Sequence, residues 1–114
     1  MAAAKRLICD AEAVAEGGSG VRFTVWRGSE EVPAFVVRFD GVVRGYENRC
    51  AHIPVELDWL EGQFFDSNGL YLICSTHGAT YHPASGFCVR GPCKGRSLAR
   101  VGVEESDGKV YCID

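Results

Sequence analysis

The chain has 114 residues, 46% of them apolar, and a formal net charge of −3. That is enough for one compact domain with a modest core, and too apolar for a disordered segment. The mild acidity without any basic cluster argues against a nucleic-acid binder, and no apolar run approaches the roughly 18–20 residues that span a bilayer. The start, Met1-Ala2-Ala3-Ala4-Lys5-Arg6, has no apolar stretch after its basic pair, so no secretory signal is read.

The elements expected in chain order are short strands separated by turns, in keeping with the 14 glycines. Arg6 to Cys9 is a brief apolar run. Ala11 to Glu16 suits one helical turn. Val21 to Arg27 alternates with period two and is rich in β-branched and aromatic residues. Ala34 to Phe39 and Val42 to Glu47 follow, joined by Asp40-Gly41. That dipeptide between apolar runs signals a hairpin, because glycine accepts the positive φ of a type I′ turn. Glu56 to Leu60 suits a second helical turn. Phe64-Phe65 and Leu70 to Ile73 flank Asn68-Gly69. Thr80 to His82 and Phe87 to Val89 flank Ser85-Gly86. Ala99 to Glu104 and Lys109 to Ile113 flank Asp107-Gly108. No repeat, linker or low-complexity tract interrupts the pattern. The expectation is one all-β domain over 1–114, of roughly eight to ten antiparallel strands by the turn count.

Six cysteines stand at 9, 50, 74, 88, 93 and 112. In a secreted chain they would suggest disulfides; in a cytosolic one, metal binding comes first. Two short motifs carry that idea. Cys50-Ala51-His52 follows the strand ending at Glu47, and Cys74-Ser75-Thr76-His77 follows the strand ending at Ile73, with 21 residues (53–73) between them. Two loops at matching strand ends would face each other, each offering one thiolate and one imidazole. Such donors suit either zinc or an iron–sulfur cluster. Structural zinc sites usually pair like with like on one loop. A Cys and a His on each loop favour a binuclear centre, with both Cys on one iron and both His on the other.

The pattern resembles the Rieske proteins. The resemblance covers roughly residues 40 to 114 by motif and extends past the ligands. Gly78 completes a C-x-x-H-G box, and Gly91-Pro92 stands where the family has a proline loop covering the cluster. A C-terminal hairpin then closes the domain. One departure is the gap between the motifs, several residues longer than in many Rieske ferredoxins. The extra length, placed at Leu60 to Gly69, reads as a longer hairpin.

The resemblance implies one [2Fe–2S] cluster held by Cys50, His52, Cys74 and His77. Two neutral imidazoles in place of thiolates make such a cluster less negative, and Rieske centres span about −150 to +300 mV. High-potential members of cytochrome bc complexes carry a further Cys in each ligand loop, joined as a disulfide. The matching positions here are Val55 and Thr76, so that bridge cannot form. Those proteins also donate hydrogen bonds to the cluster sulfurs from a Ser and a Tyr. The Ser position is Ala79 and the Tyr position is Tyr81. A low-potential, ferredoxin-like centre is expected, with Tyr81 either a remaining donor or simply a core aromatic. Both imidazoles should present their outer nitrogen near solvent, so the potential should fall at alkaline pH.

Cys88 and Cys93, flanking 89–92, could be extra ligands, a disulfide or apolar packing; partly buried thiols are favoured, since four ligands suffice and a cytosolic setting disfavours a disulfide. Cys9 and Cys112 are read as core residues on neighbouring first and last strands. His82 is read as a turn residue, and Trp26 and Trp59 as packing residues. An oxygenase would need a second iron held by two His and a carboxylate. Only His82 remains once two of the three histidines are used. The sequence therefore points to a monomeric, cytoplasmic electron carrier rather than an enzyme, serving a reductase and an oxygenase or other acceptor. A small subunit of a reductase complex and a zinc-binding or regulatory module are the alternatives.

Overall fold

Strand β3 (Glu30–Phe39) divides the molecule, and its period-two pattern buries both faces. Val32, Ala34 and Val36 point one way, into valine-rich packing with Val25, Val43, Val101 and Val110. Phe35 and Val37 point the other way, among Tyr46, Leu57, Phe64, Cys50 and Cys74. The computed structural model describes residues 5–51, 55–58, 60–74, 78–93 and 95–113.

Around β3 lies a four-stranded sheet of β2 (Val21–Arg27), β3, β4 (Val42–Glu47) and β8 (Arg100–Val101), in that order. A three-stranded sheet packs on one side, ordered β1 (Lys5–Asp10), β10 (Lys109–Ile113), β9 (Val103–Ser106). A third sheet contains β5 (Leu72–Ile73), β6 (Thr80–Tyr81) and β7 (Cys88–Arg90). All strand pairings within these sheets are antiparallel, so the all-β expectation holds. Among the described residues no helix is long and apolar enough to cross a membrane.

The Asp40-Gly41 and Asp107-Gly108 turns form as expected: all four residues have positive φ, between 52° and 76°. This is the left-handed pair that matches the twist of a tight hairpin. Ala11–Ala13 is a single 3-10 turn. No helical turn appears among the described residues of 56–60. Asp58 is instead committed to side-chain bonds described below.

Three further differences have local causes. β3 begins at Glu30 rather than Ala34, because a tight turn at Gly28-Ser29 brings Glu30–Pro33 opposite Thr24–Arg27. The run Ala99 to Glu104 is split at Gly102, with Val101 paired to Gly45 in one sheet and Val103 to Cys112 in another. The chain therefore crosses between sheets there. Leu70 and Tyr71 stay outside β5 because the Asp66 carboxylate captures the Leu70 N–H at 3.1 Å. Trp26 is 60% exposed on β2, not a packing residue, and Trp59 lies outside the described residues.

Candidate metal centre

The first ligand loop leaves β4 through a buried polar brace. Asn48 donates from Nδ2 to Asp58 Oδ1 (3.0 Å) and accepts the Leu57 N–H at Oδ1 (2.8 Å). Asp58 Oδ2 takes Arg22 Nε (2.7 Å) and the Gly62 N–H (2.9 Å). Burial pushes the Asp58 carboxyl up, but bonds from Arg22, Asn48 and Gly62 outweigh it and hold the group below its usual range. This brace ties β2, the end of β4 and the 57–62 segment into one support. The loop closes on itself where Cys50 N–H donates to Val55 O (2.8 Å).

The second loop is a tight reversal between β5 and β6. Cys74 N–H donates to Ala79 O, and Gly78 N–H donates back to Cys74 O, both at 2.8 Å. Gly78 has φ 71°, a conformation that costs a side-chain-bearing residue energy but glycine little. Cys50 and Cys74 are 4% and 0% exposed, and both pack in one buried cluster with Ala79, Tyr81, Cys88 and Cys93. His52, His77 and Thr76 lie outside the described residues. Among the described residues no set of three or more His, Cys, Asp or Glu gathers as a metal site. The two thiols are the part of the donor set that they contain.

Tyr81 joins the two loops. It is fully buried, its hydroxyl lies 3.3 Å from Cys50 Sγ, and it accepts the Ala51 N–H at 2.8 Å. Accepting at the oxygen leaves the phenol proton free to point at sulfur, and a thiolate there can only accept. Burial, then the contact with Cys50, pushes the Tyr81 pKa far above its ordinary value, and Cys74 contributes as well. The hydroxyl stays protonated and is available as a donor. Tyr81 is thus a core aromatic whose hydroxyl also stands within hydrogen-bond distance of Cys50 Sγ. At the other position Ala79 is buried and offers no hydroxyl.

The segment after β7 covers the site. A Cβ on Gly91 (φ 97°) would stand 3.0 Å from Ala79 Cα and 3.3 Å from Gly78 O, so its backbone lies directly on the second loop. Arg96 donates to Ala51 O in the first loop at 3.0 Å. Cys88 and Cys93 form a disulfide with Cα atoms 5.8 Å apart, which corrects the expectation of two thiols. The antiparallel step from Tyr81 to Cys88, followed by the turn at Gly91-Pro92, brings the two cysteines together. Cys9 and Cys112 sit on the paired strands β1 and β10 as expected, though opposite Val110 and Arg6 rather than each other. His82 is exposed in the turn between β6 and β7, where its Nδ1 accepts the Ala84 N–H.

Asp58 and Arg96 were not singled out in the sequence. A signal existed for the first: one acid inside the apolar string Leu57-Asp58-Trp59-Leu60 asks what pairs it. Nothing local marks Arg96 among the other arginines.

Two buried cysteine sulfurs share one cluster with a buried phenol whose hydroxyl lies 3.3 Å from Cys50 Sγ. A buried thiolate pair is costly without a cationic centre to hold it, so the donor chemistry fits an iron–sulfur group. The model of the family described as Rieske [2Fe-2S] domain matches residues 5–105. The chain belongs to that family, and its cofactor is one [2Fe–2S] cluster.

Among solved structures, the chain is similar to the Sphingomonas yanoikuyae B1 ferredoxin, at 25% identity and TM-score 0.71, covering 97% of this chain and 98% of that one. It is also similar to the ferredoxin of carbazole 1,9a-dioxygenase from Nocardioides aromaticivorans IC177, at 17% identity and TM-score 0.72, covering 96% of each. The terminal oxygenase of that dioxygenase, from the same organism, shares the fold at 21% identity and TM-score 0.75. There the chain spans only 29% of the oxygenase. A comparison with curated proteins found no match.

Proposed function

We propose that this chain is a ferredoxin-type electron carrier whose cluster is held by Cys50, His52, Cys74 and His77. One observation supports this above the others: Cys50 and Cys74, from separate loops, are buried in one cluster with Tyr81, whose hydroxyl lies 3.3 Å from Cys50 Sγ. The likeness to the Sphingomonas yanoikuyae B1 ferredoxin and to the ferredoxin of carbazole 1,9a-dioxygenase supports a carrier role.

The cluster, when bound, supplies a one-electron couple. The chain's residues set its surroundings. Cys50 and Cys74 would hold one iron as thiolates, and the imidazoles of His52 and His77 would hold the other. Tyr81 donates toward Cys50 Sγ and favours the more negative, reduced state. Ala79 supplies no second hydroxyl, and Val55 and Thr76 supply no bridge between the loops. These features support a low-potential member passing single electrons from a reductase to an oxygenase or other terminal enzyme. The three antiparallel sheets packed about β3 support reading the chain as a single domain.

The test is anaerobic purification with metal and sulfide analysis. A red-brown protein with about two irons per chain, and a reduced EPR signal of the low average g expected for mixed Cys/His ligation, supports the proposal. A colourless protein carrying one zinc overturns it.

A further inference from the structure

We propose that the Cys88–Cys93 disulfide is a thiol-redox clamp that holds both ligand loops in place, so that cluster retention depends on its oxidation state. The inference rests on the ligand assignment above and goes beyond it, because neither cysteine is among the four ligands.

The bridge closes segment 88–93, and that segment and the turn after it grip the two loops at separate points. On one side Gly91 lies against Gly78 and Ala79, with no space for even a methyl group between them. On the other, Arg96 holds Ala51 O at 3.0 Å. Arg96 is positioned by the bridged cysteines: its N–H donates to Cys93 O (2.9 Å) and its carbonyl accepts the Cys88 N–H (2.8 Å). Cys88 in turn stands opposite Tyr81, whose hydroxyl meets both Ala51 N–H and Cys50 Sγ. One crosslink therefore fixes the Gly91 contact, the Arg96 anchor and the strand partner of Tyr81.

The crosslink matters because local structure there is otherwise weak. β5 and β6 have two residues each and β7 three, and the β6–β7 register shifts between Thr80 and Tyr81. Cys88 and Cys93 are 1% and 0% exposed, whereas residues 89–92 between them are exposed. A dithiol reaches the bridge when this exposed segment opens outward. Its thiolate attacks one sulfur, and a second attack from the same reagent completes the exchange. The products are two cysteine thiols and one oxidised dithiol, a transfer of two electrons and two protons. The segment is then free to leave Gly78–Ala79, and Arg96 to release Ala51.

The experiment uses the cluster-loaded protein, prepared anaerobically without thiols. Alkylation under denaturing conditions, followed by mass analysis, should find Cys88 and Cys93 unmodified until a dithiol is added. Visible absorbance then follows cluster loss with and without dithiothreitol. Loss should be roughly tenfold faster in the treated wild type. The Cys88→Ser/Cys93→Ser protein should lose its cluster at the fast rate in both conditions. EPR of both samples, reduced electrochemically, should show g-values shifted by dithiol in the wild type and unmoved by it in the double variant. If the double variant does not fold, the wild-type comparison alone decides. Two alkylated cysteines before reduction, or equal lifetimes and spectra with the bridge open and closed, overturn the clamp. Protein lacking iron in every sample would instead bring down the ligand assignment, and the clamp with it.

Discussion

The two sides of β3 are built by different means. On one side, two sheets press together through valines at 0–8% exposure, over strands of four to ten residues apart from the short β8. That is continuous β structure with an apolar interface, and it needs no special residue to define it. On the other side, the first ligand loop leaves the end of β4, while the second loop and the segment covering it rest on strands of two or three residues. There the positions are set by named bonds: the Asn48–Asp58–Arg22 brace, Tyr81 between the loops, Arg96 on Ala51, and the disulfide. The first side is stable by area. The second is specified piece by piece, so single substitutions there should reach the cofactor without unfolding the first.

The sharpest test of that division is Cys50→Ser or Cys74→Ser. Iron content should fall to background while the far-ultraviolet circular dichroism of the β sheets persists. Loss of the sheet signal together with the iron would show that the two sides are one cooperative unit. Next in size is Asp58→Ala. It strands the buried Asn48 amide and Gly62 N–H, while Arg22, about a third exposed, returns to solvent. A loss of about 2–3 kcal/mol is expected, read as a lower urea midpoint, together with faster cluster release.

The same carboxylate predicts acid sensitivity. Its folded pKa lies below the unfolded value of about 3.9, so its contribution is present above that pH and is lost as pH falls through the folded value. Urea midpoints measured from pH 6 downward should therefore decline more steeply in the wild type than in Asp58→Asn.

A smaller effect is expected from Tyr81→Phe. One hydrogen bond of about 1 kcal/mol that favours the reduced cluster is removed, so the midpoint potential should fall by on the order of 40 mV. An unchanged potential would make Tyr81 a packing residue only. The smallest is Trp26→Ala on the other side of the molecule. With the ring 60% exposed, stability should stay within about 0.5 kcal/mol and the potential should not move.

Much of the strand pattern was legible because alternation and tight-turn dipeptides are local signals. β2, β4 and β10 carry the bounds read from the sequence. Asp40-Gly41 and Asp107-Gly108 turn as their chemistry requires. The failures came where a local signal was outweighed by a distant partner. Ala99 to Glu104 looks like one strand, but its two halves satisfy different sheets. In 56–60 Asp58 is committed to Asn48 and Arg22, and no helical turn forms among the described residues there.

The sequence by itself determined the family and the cofactor, because C-x-H and C-x-x-H-G at strand ends state donor type and order within a few residues. It also made the loops short enough to need outside support. Only the tertiary structure decided what that support is. Tyr81 as donor, Asp58 as brace, Arg96 as anchor and Cys88 bonded to Cys93 all depend on groups from different elements meeting across the core. Neither spacing nor composition carries such distances; β3, packed on both faces, brings them within reach.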